Sequence, residues 1–396
     1  MSKPEQRRVA AIGDWRPRPG EPATLVVGSL ADAQQWLGHR TTGVTGDAPA
    51  AARALREAGA GAVCLVEGAD ARPLVWLQSE HACGWLAAPR GMGCDSGNVA
   101  LFTGQAAAAV AKGFVFADAA VLAMMACTRR PGADAQPDRG TQFVHDPALL
   151  PQLSWGDEPR FVGARVDTSR RLDLYGIVDS AERVQQVVDA GVRTVQLRIK
   201  QPPAPHAQWW AHLRGEIERS VDACRSTDAE LFVNDHWQLA AELGAPGVHL
   251  GQEDLQALGE DGRAALLATG LALGISSHSL WELCRARALA PRYIACGPVW
   301  PTLTKAMPWI AQGLDNLAWW CRMAGAPVVA IGGVLAPEQV RDAARCGADG
   351  VCIVRGLGEA PRQVVPQLQA ALEAGRRDFE AQGASVAWPH PSLSVA

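Results

Sequence analysis

Eight short apolar runs, each followed by a stretch of helical spacing, recur between Leu172 and Gly356, and this rhythm constrains the fold more than any other feature. The runs are LDLYGIVDS, RTVQLRIK, ELFVND, GVHLGQED, LALGISS, RYIACG, PVVAIGG and DGVCIVRG. Continuously apolar strands that alternate with helices belong to a parallel sheet covered by helices. The stretch SAERVQQVVDAG shows the helical half: Ser180 is placed to cap it, and Val184, Val187 and Val188 fall on one face. Eight such units in about 200 residues match a closed (β/α)8 TIM barrel, an α/β architecture. A doubly wound open sheet competes, but it ordinarily has fewer strands and a visible switch point.

The chain's 396 residues exceed one ordinary domain. Residues 131–171 are rich in Pro, Gly, Asp and Arg without a sustained period, and read as a linker with a short ordered piece near Phe143 to Leu153. The expected division is a smaller α/β domain at 1–130, the linker, the barrel at 172–380 and a C-terminal tail at 381–396. A content of 48% apolar and 20% charged residues suits a soluble globular protein with a core in each half. Net charge is −4 and no basic run offsets it, which argues against nucleic acid or an anionic membrane as partner. No apolar stretch approaches the ~20 residues of a membrane helix, and the N-terminus lacks the apolar segment of a secretory signal. The ten cysteines form no Cys-x-x-Cys pair, and residues such as Cys64 and Cys352 lie in apolar runs, which points to a reducing cytoplasm. The pairs Trp209-Trp210 and Trp319-Trp320 suit either a subunit interface of a homo-oligomer or ordinary core packing.

Function enters through the polar residues, because the C-terminal ends of barrel strands form the active site of such folds. Strand two ends in Gln196, Arg198 and Lys200, which share one face at strand period. Two cations converging inside a barrel require an anion to neutralise them. Strand three ends in Asn234 and Asp235, and strand four runs into Gln252, Glu253 and Asp254. Asp235 and Asp254 thus lie at adjacent strand ends and, with phosphate oxygens completing the shell, suit Mg²⁺. Taken alone, Asn234-Asp235 reads as a loop cap for the next helix, the more common role of Asp at such a place. Strand five ends at Ser276, Ser277 and His278, the last more often structural than an acid or base. Thr302, Thr304 and Lys305 follow strand six in a loop suited to phosphate. Strands seven and eight end in Gly332-Gly333 and Arg355-Gly356, where barrels hold phosphate on backbone amides.

The phrases QLRIK, FVNDHWQLA, GVHLGQEDL, LGISSH, GPVWPTLTKAMP, VVAIGG and GADGVCIV, collinear over about Leu172 to Ala374, resemble thiamine phosphate synthase. The resemblance implies a transferase acting on small molecules, joining 4-amino-2-methyl-5-(diphosphooxymethyl)pyrimidine to a thiazole phosphate. It implies that Gln196, Arg198 and Lys200, helped by Asn234, Ser276 and Lys305, hold the pyrimidine diphosphate, and that Asp235 and Asp254 bind Mg²⁺. Thr302, Thr304 and the backbone amides of Gly333, Val354 and Arg355 would receive the thiazole phosphate. Some family members have Ser where Arg355 stands, so the local electrostatics there differ. Two rivals are the thiazole tautomerase branch of the same barrel family, which needs no Mg²⁺, and a non-catalytic binding protein for thiamine precursors.

Between about Leu25 and Arg130, LVVGSLADAQQWLG, AARALREAGAGAVCLVEG and WLAAPRGMGCDSGNVALFTGQAAAAVAKG resemble part of hydroxymethylpyrimidine phosphate kinase, a ribokinase-like enzyme. Gly91-Met92-Gly93-Cys94 occupies the place of that family's anion-binding turn, with Met92 where a small hydroxylated residue is usual. The region is about half the length of such a kinase, and one turn does not make a substrate site. A truncated, inactive domain is the expectation.

Overall fold

The computed structural model describes residues 7–18, 20–38, 46–67, 72–94, 99–129, 145–162, 170–301, 308–383 and 388–393. Near the N-terminus, parallel strands give way to hairpins. Strands β1 (Arg8–Ala11), β2 (Thr24–Ser29) and β3 (Ala62–Glu67) are parallel, with helices α1 (Leu30–Gly38) and α2 (Ala48–Glu57) connecting β2 to β3. Asp47 caps α2 by accepting the Ala50 amide, and Pro49 sits in its first turn, where a missing N–H costs nothing. The sheet then continues antiparallel through β4 (Leu74–Gln78) and β5 (Cys83–Ala87). Strand β6 (Gly93–Cys94) pairs with β7 (Thr128–Arg129), and α3 (Val99–Ala111) and α4 (Phe116–Cys127) lie between them in sequence.

The short ordered piece expected near Phe143 to Leu153 within the linker includes a strand. Strand β8 (Gln152–Leu153) pairs with β5 as the sixth strand. The Ser154 hydroxyl accepts the Trp85 amide and donates to the Gly156 carbonyl, both at 2.8 Å. The N-terminal unit comprises Met1–Gly163, Ser279–Leu289 and His390–Ala396, so the sequence-based boundaries at 130 and 381 do not coincide with it. Two paired residues without periodicity give no local signal of a strand. Inside this unit Asp118 is 2% exposed, and its carboxylate accepts the Trp281 amide at 3.0 Å. Burial, with the charge of Glu282 adding, pushes this carboxyl up to about 7 despite the backbone N–H groups it accepts.

The second unit, Ala164–His278 and Ala290–Pro389, contains the eight expected strands. These are β9 (Asp173–Val178), β10 (Thr194–Leu197), β11 (Glu230–Asn234), β12 (Gly247–Leu250), β13 (Ala272–Ser277), β14 (Tyr293–Cys296), β15 (Val328–Ala330) and β16 (Gly350–Ile353). All pair in parallel, and β16 returns to β9 to close the barrel. Helix α5 (Ala181–Asp189) behaves as its spacing requires: Ser180 accepts the Arg183 amide, and Val184, Val187 and Val188 are buried. Each valine removed from water contributes roughly 1.5–3 kcal/mol. Helices α6 (Ala207–Thr227), α7 (Trp237–Glu242), α8 (Gln252–Ala257) and α9 (Gly259–Ala268) follow the next strands. After α10 (Leu280–Arg287), which groups with the N-terminal unit, come α11 (Gly313–Met323), α12 (Pro337–Arg345) and α13 (Pro361–Gln382).

Aromatic rings fill the barrel where glycines make room. A Cβ on Gly247 would meet the Phe232 ring at 2.6 Å, and one on Gly274 would overlap the Tyr293 ring. Leu172, Tyr175, Ile177, Phe232, Tyr293, Val329 and Cys352 form the interior cluster. Trp319 and Trp320 are both fully buried, which assigns that pair to core packing. Among the described residues, no helix is long and apolar enough to cross a membrane.

Candidate active site

Parallel strands bring all eight C-terminal ends to one mouth, and the described polar residues read at those strand ends lie on that side. Strand β10 ends at Leu197, so Arg198 and Lys200 extend beyond it; the Arg198 amide still continues the ladder to the Val178 carbonyl at 2.7 Å. Arg198 is half-buried and Lys200 exposed. Arg198 is close enough to Asp235 to favour its charged form.

Asp235 lies just beyond β11 with φ of +66°, a left-handed conformation uncommon outside glycine. Its carboxyl is raised above the ordinary carboxylate range, first by burial and next by the negative charge of Asp254. The Asn234 side chain donates a hydrogen bond to it. Asp254 in turn caps α8, accepting the Gly251 amide at 3.0 Å. The two carboxylates therefore act on one another electrostatically. Among the described residues no group of three or more His, Cys, Asp or Glu side chains is arranged to hold a metal.

Below this rim runs a buried polar chain of which the strand-end reading found only the two ends, Gln196 and Ser276. Gln196, 2% exposed, donates to the Tyr175 hydroxyl at 3.0 Å. The Tyr175 and Tyr293 hydroxyls lie 2.6 Å apart, Tyr293 is 2.8 Å from His249 Nδ1, and His249 Nε2 is 2.9 Å from the Ser276 hydroxyl. Burial, reinforced by the charges of Arg198 and His278, lowers His249 to about 3, so its ring is neutral. One proton order satisfies every member: Gln196 donates to Tyr175, Tyr175 to Tyr293, Tyr293 to Nδ1, and Nε2–H to Ser276. The Ser276 proton is then directed onward. A partial signal was available in the sequence: Tyr175, His249 and Tyr293 are polar-tipped residues in apolar runs, short of the C-terminal ends.

Ser277 accepts the Trp320 indole N–H at 3.2 Å, and His278 stacks on Trp309 with centroids 5.1 Å apart. Gln252 is buried and donates to the Ser276 carbonyl at 2.9 Å. At the opposite strand ends, Gly333 has φ of +75°, and a Cβ there would lie 2.6 Å from Trp300 Cβ. No other residue fits that approach. Val354 and Arg355 are exposed at the adjacent end, where a short 3₁₀ turn, Arg355–Leu357, begins. Thr302, Thr304 and Lys305 lie outside the described residues. In the N-terminal unit, a groove of about 760 Å³ is walled by Trp15, Trp36, Leu37 and Pro22, with Arg18 and Glu21 also lining it. None of the candidate site residues of the barrel lines it.

A closed parallel barrel with cationic and carboxylate residues at its strand ends defines a (β/α)8 protein whose candidate site lies at that mouth. Residues 170–357 match the family model described as thiamine monophosphate synthase. A thiamine-phosphate synthase from Rhizobium etli is 46% identical over 193 residues, which cover 48% of this chain and 90% of the relative. Another from Neisseria meningitidis is 45% identical over 202 residues, 50% of this chain and 94% of the relative. A solved structure of a thiamine phosphate pyrophosphorylase from Pyrococcus furiosus is 28% identical with a TM-score of 0.44, covering 52% of this chain and 96% of that one. The chain belongs to the thiamine monophosphate synthase family.

Proposed function

We propose that the chain is a thiamine-phosphate synthase, a transferase of thiamine biosynthesis. It joins 4-amino-2-methyl-5-(diphosphooxymethyl)pyrimidine to thiazole phosphate, forming thiamine phosphate and pyrophosphate. The observation that carries this reading is the array at one barrel mouth of Arg198, Asn234 and the mutually repelling Asp235 and Asp254. Such an array favours a diphosphate with a divalent cation. Two hard oxygen donors fit Mg²⁺, and the raised Asp235 carboxyl is what a cation between two carboxylates would relieve. When bound, Mg²⁺ would neutralise charge on the departing pyrophosphate.

The protein's own groups then divide the work. Arg198, Lys200 and Lys305 bind the leaving group as its carbon–oxygen bond breaks and negative charge develops. Gln196, Asn234 and Ser276 hold the pyrimidine side, with the Ser276 proton oriented by the neutral His249. The carbocation left on the pyrimidine is stabilised by that ring's own amino group. Thr302, Thr304 and the backbone amides of Gly333, Val354 and Arg355 seat the thiazole phosphate. The thiazole nitrogen is already a neutral nucleophile and forms the new carbon–nitrogen bond, so positioning replaces a general base.

We assign the N-terminal unit no catalytic role and place the protein in a reducing cytoplasm. The latter rests on free cysteines that burial turns into inert apolar residues: Cys284 is pushed up to about 12 and Cys346 to about 11. For the mechanism, Lys305→Ala and Asp235→Ala are each measured at saturating substrates. A fall in kcat of at least about 100-fold is expected for both; full turnover in both would overturn it.

A further inference from the structure

His236 has no role in the array above, yet it joins two parts of it. Its amide donates to the Asn234 carbonyl at 2.8 Å, and the Trp237 amide donates to the Asp235 carbonyl at 2.9 Å. These are two successive γ-turns. The first is centred on Asp235 at φ +66°, the rarer and strained hand; the second is centred on His236 at φ −84° and ψ 57°, the relaxed hand. Asp235 is therefore aimed by backbone that would relax if nothing held it.

The imidazole supplies a hold. Its Nε2 lies 3.1 Å from the Ile199 carbonyl, 37 residues away in sequence. A carbonyl can only accept, so Nε2 carries the proton. Ile199 is the residue between Arg198 and Lys200, so this one hydrogen bond ties the cationic segment to the Asp235 turn. The ring is 9% exposed and is met edge-on by Trp209 and Trp210, with centroids at 5.6 and 6.1 Å. Trp209 is itself placed by the cap of α6, where His206 Nδ1 accepts its amide at 3.2 Å. The tandem tryptophans thus limit where the ring can swing.

We infer that His236 is a positioning residue that latches the Arg198–Lys200 segment to the Asp235 turn, so that the diphosphate subsite is preformed. The inference rests on the functional reading above. Displacements of about 1 Å between such groups are enough to cost binding and rate.

The test uses the full chain and inorganic pyrophosphate with Mg²⁺ as probe, read by calorimetry, beside steady-state kinetics. His236→Phe keeps a ring against the tryptophans and removes the donor; His236→Gln keeps a donor. Expected for His236→Phe are about tenfold weaker pyrophosphate binding and a similar rise in KM for the pyrimidine diphosphate. The KM for thiazole phosphate should stay within about twofold, and His236→Gln should recover pyrophosphate binding to within about threefold. If the Phe variant does not fold, Gln against Met makes the same contrast, since Met matches Gln in length and cannot donate. Wild-type pyrophosphate affinity in the donorless variant, equal rises in both KM values, or a Gln variant as impaired as the donorless one would each overturn the latch. A wild-type chain that neither binds pyrophosphate nor forms thiamine phosphate would instead sink the functional reading, and the latch with it.

Discussion

The barrel and the N-terminal unit use similar material, short apolar strands and alanine-rich helices, but among the described residues the candidate site residues gather in the barrel. All eight barrel strands run the same way, so every C-terminal end contributes to one mouth. In the N-terminal sheet, three parallel strands are followed by three antiparallel pairings, which send alternate strand ends to opposite edges. Polar residues there are dispersed by topology, whatever their identity. Strand direction decides whether a sheet can assemble a site from its ends.

The contrast predicts large effects in the barrel and small ones outside it. Arg198→Ala and Asp235→Ala should each lower kcat/KM by about 10²–10³-fold in a coupled pyrophosphate-release assay. Retention of activity in both would remove the barrel mouth from the reaction. The next effect is on stability and belongs to the N-terminal unit. Asp118 binds a proton more tightly folded, at about 7, than the ordinary value of 3.8, so stability falls as pH rises through that window. Between pH 5 and 8 the loss should be about 2–3 kcal/mol, and Asp118→Asn should flatten that slope in denaturant titrations. A wild-type slope surviving in the variant would contradict the assignment. Gly333→Ala should raise the KM for thiazole phosphate about tenfold, because φ of +75° and the contact with Trp300 force the backbone to shift. An unchanged KM would move the phosphate subsite elsewhere. Smallest of all, Gly91→Ala should change thiamine phosphate formation by less than about twofold, and the full chain with ATP and hydroxymethylpyrimidine phosphate should show no phosphoryl transfer. Clear kinase turnover would erase the contrast.

How much was legible in the sequence follows the same line. All eight barrel strands were visible because each is a continuous apolar run, and each formed within a few residues of the expected place. The rim residues were visible because polar groups interrupt those runs at their ends. Of the chain from Gln196 to Ser276 only those two ends were read; Tyr175, Tyr293 and His249 between them lie short of the C-terminal strand ends and meet only on closure. His236 was given no role because its partner, Ile199, is remote in sequence. Helix α4 is apolar on every side but for Asp118 and gave no amphipathic period. Strand β8 and the grouping of Ser279–Leu289 with the N-terminal unit depend on long-range pairing that local spacing cannot encode.

The decisive measurement is product analysis of the full wild-type chain incubated with the pyrimidine diphosphate, thiazole phosphate and Mg²⁺. Thiamine phosphate and pyrophosphate should appear in equal amounts and cease when Mg²⁺ is chelated. A folded chain that forms no thiamine phosphate under these conditions would contradict the assignment of the barrel mouth.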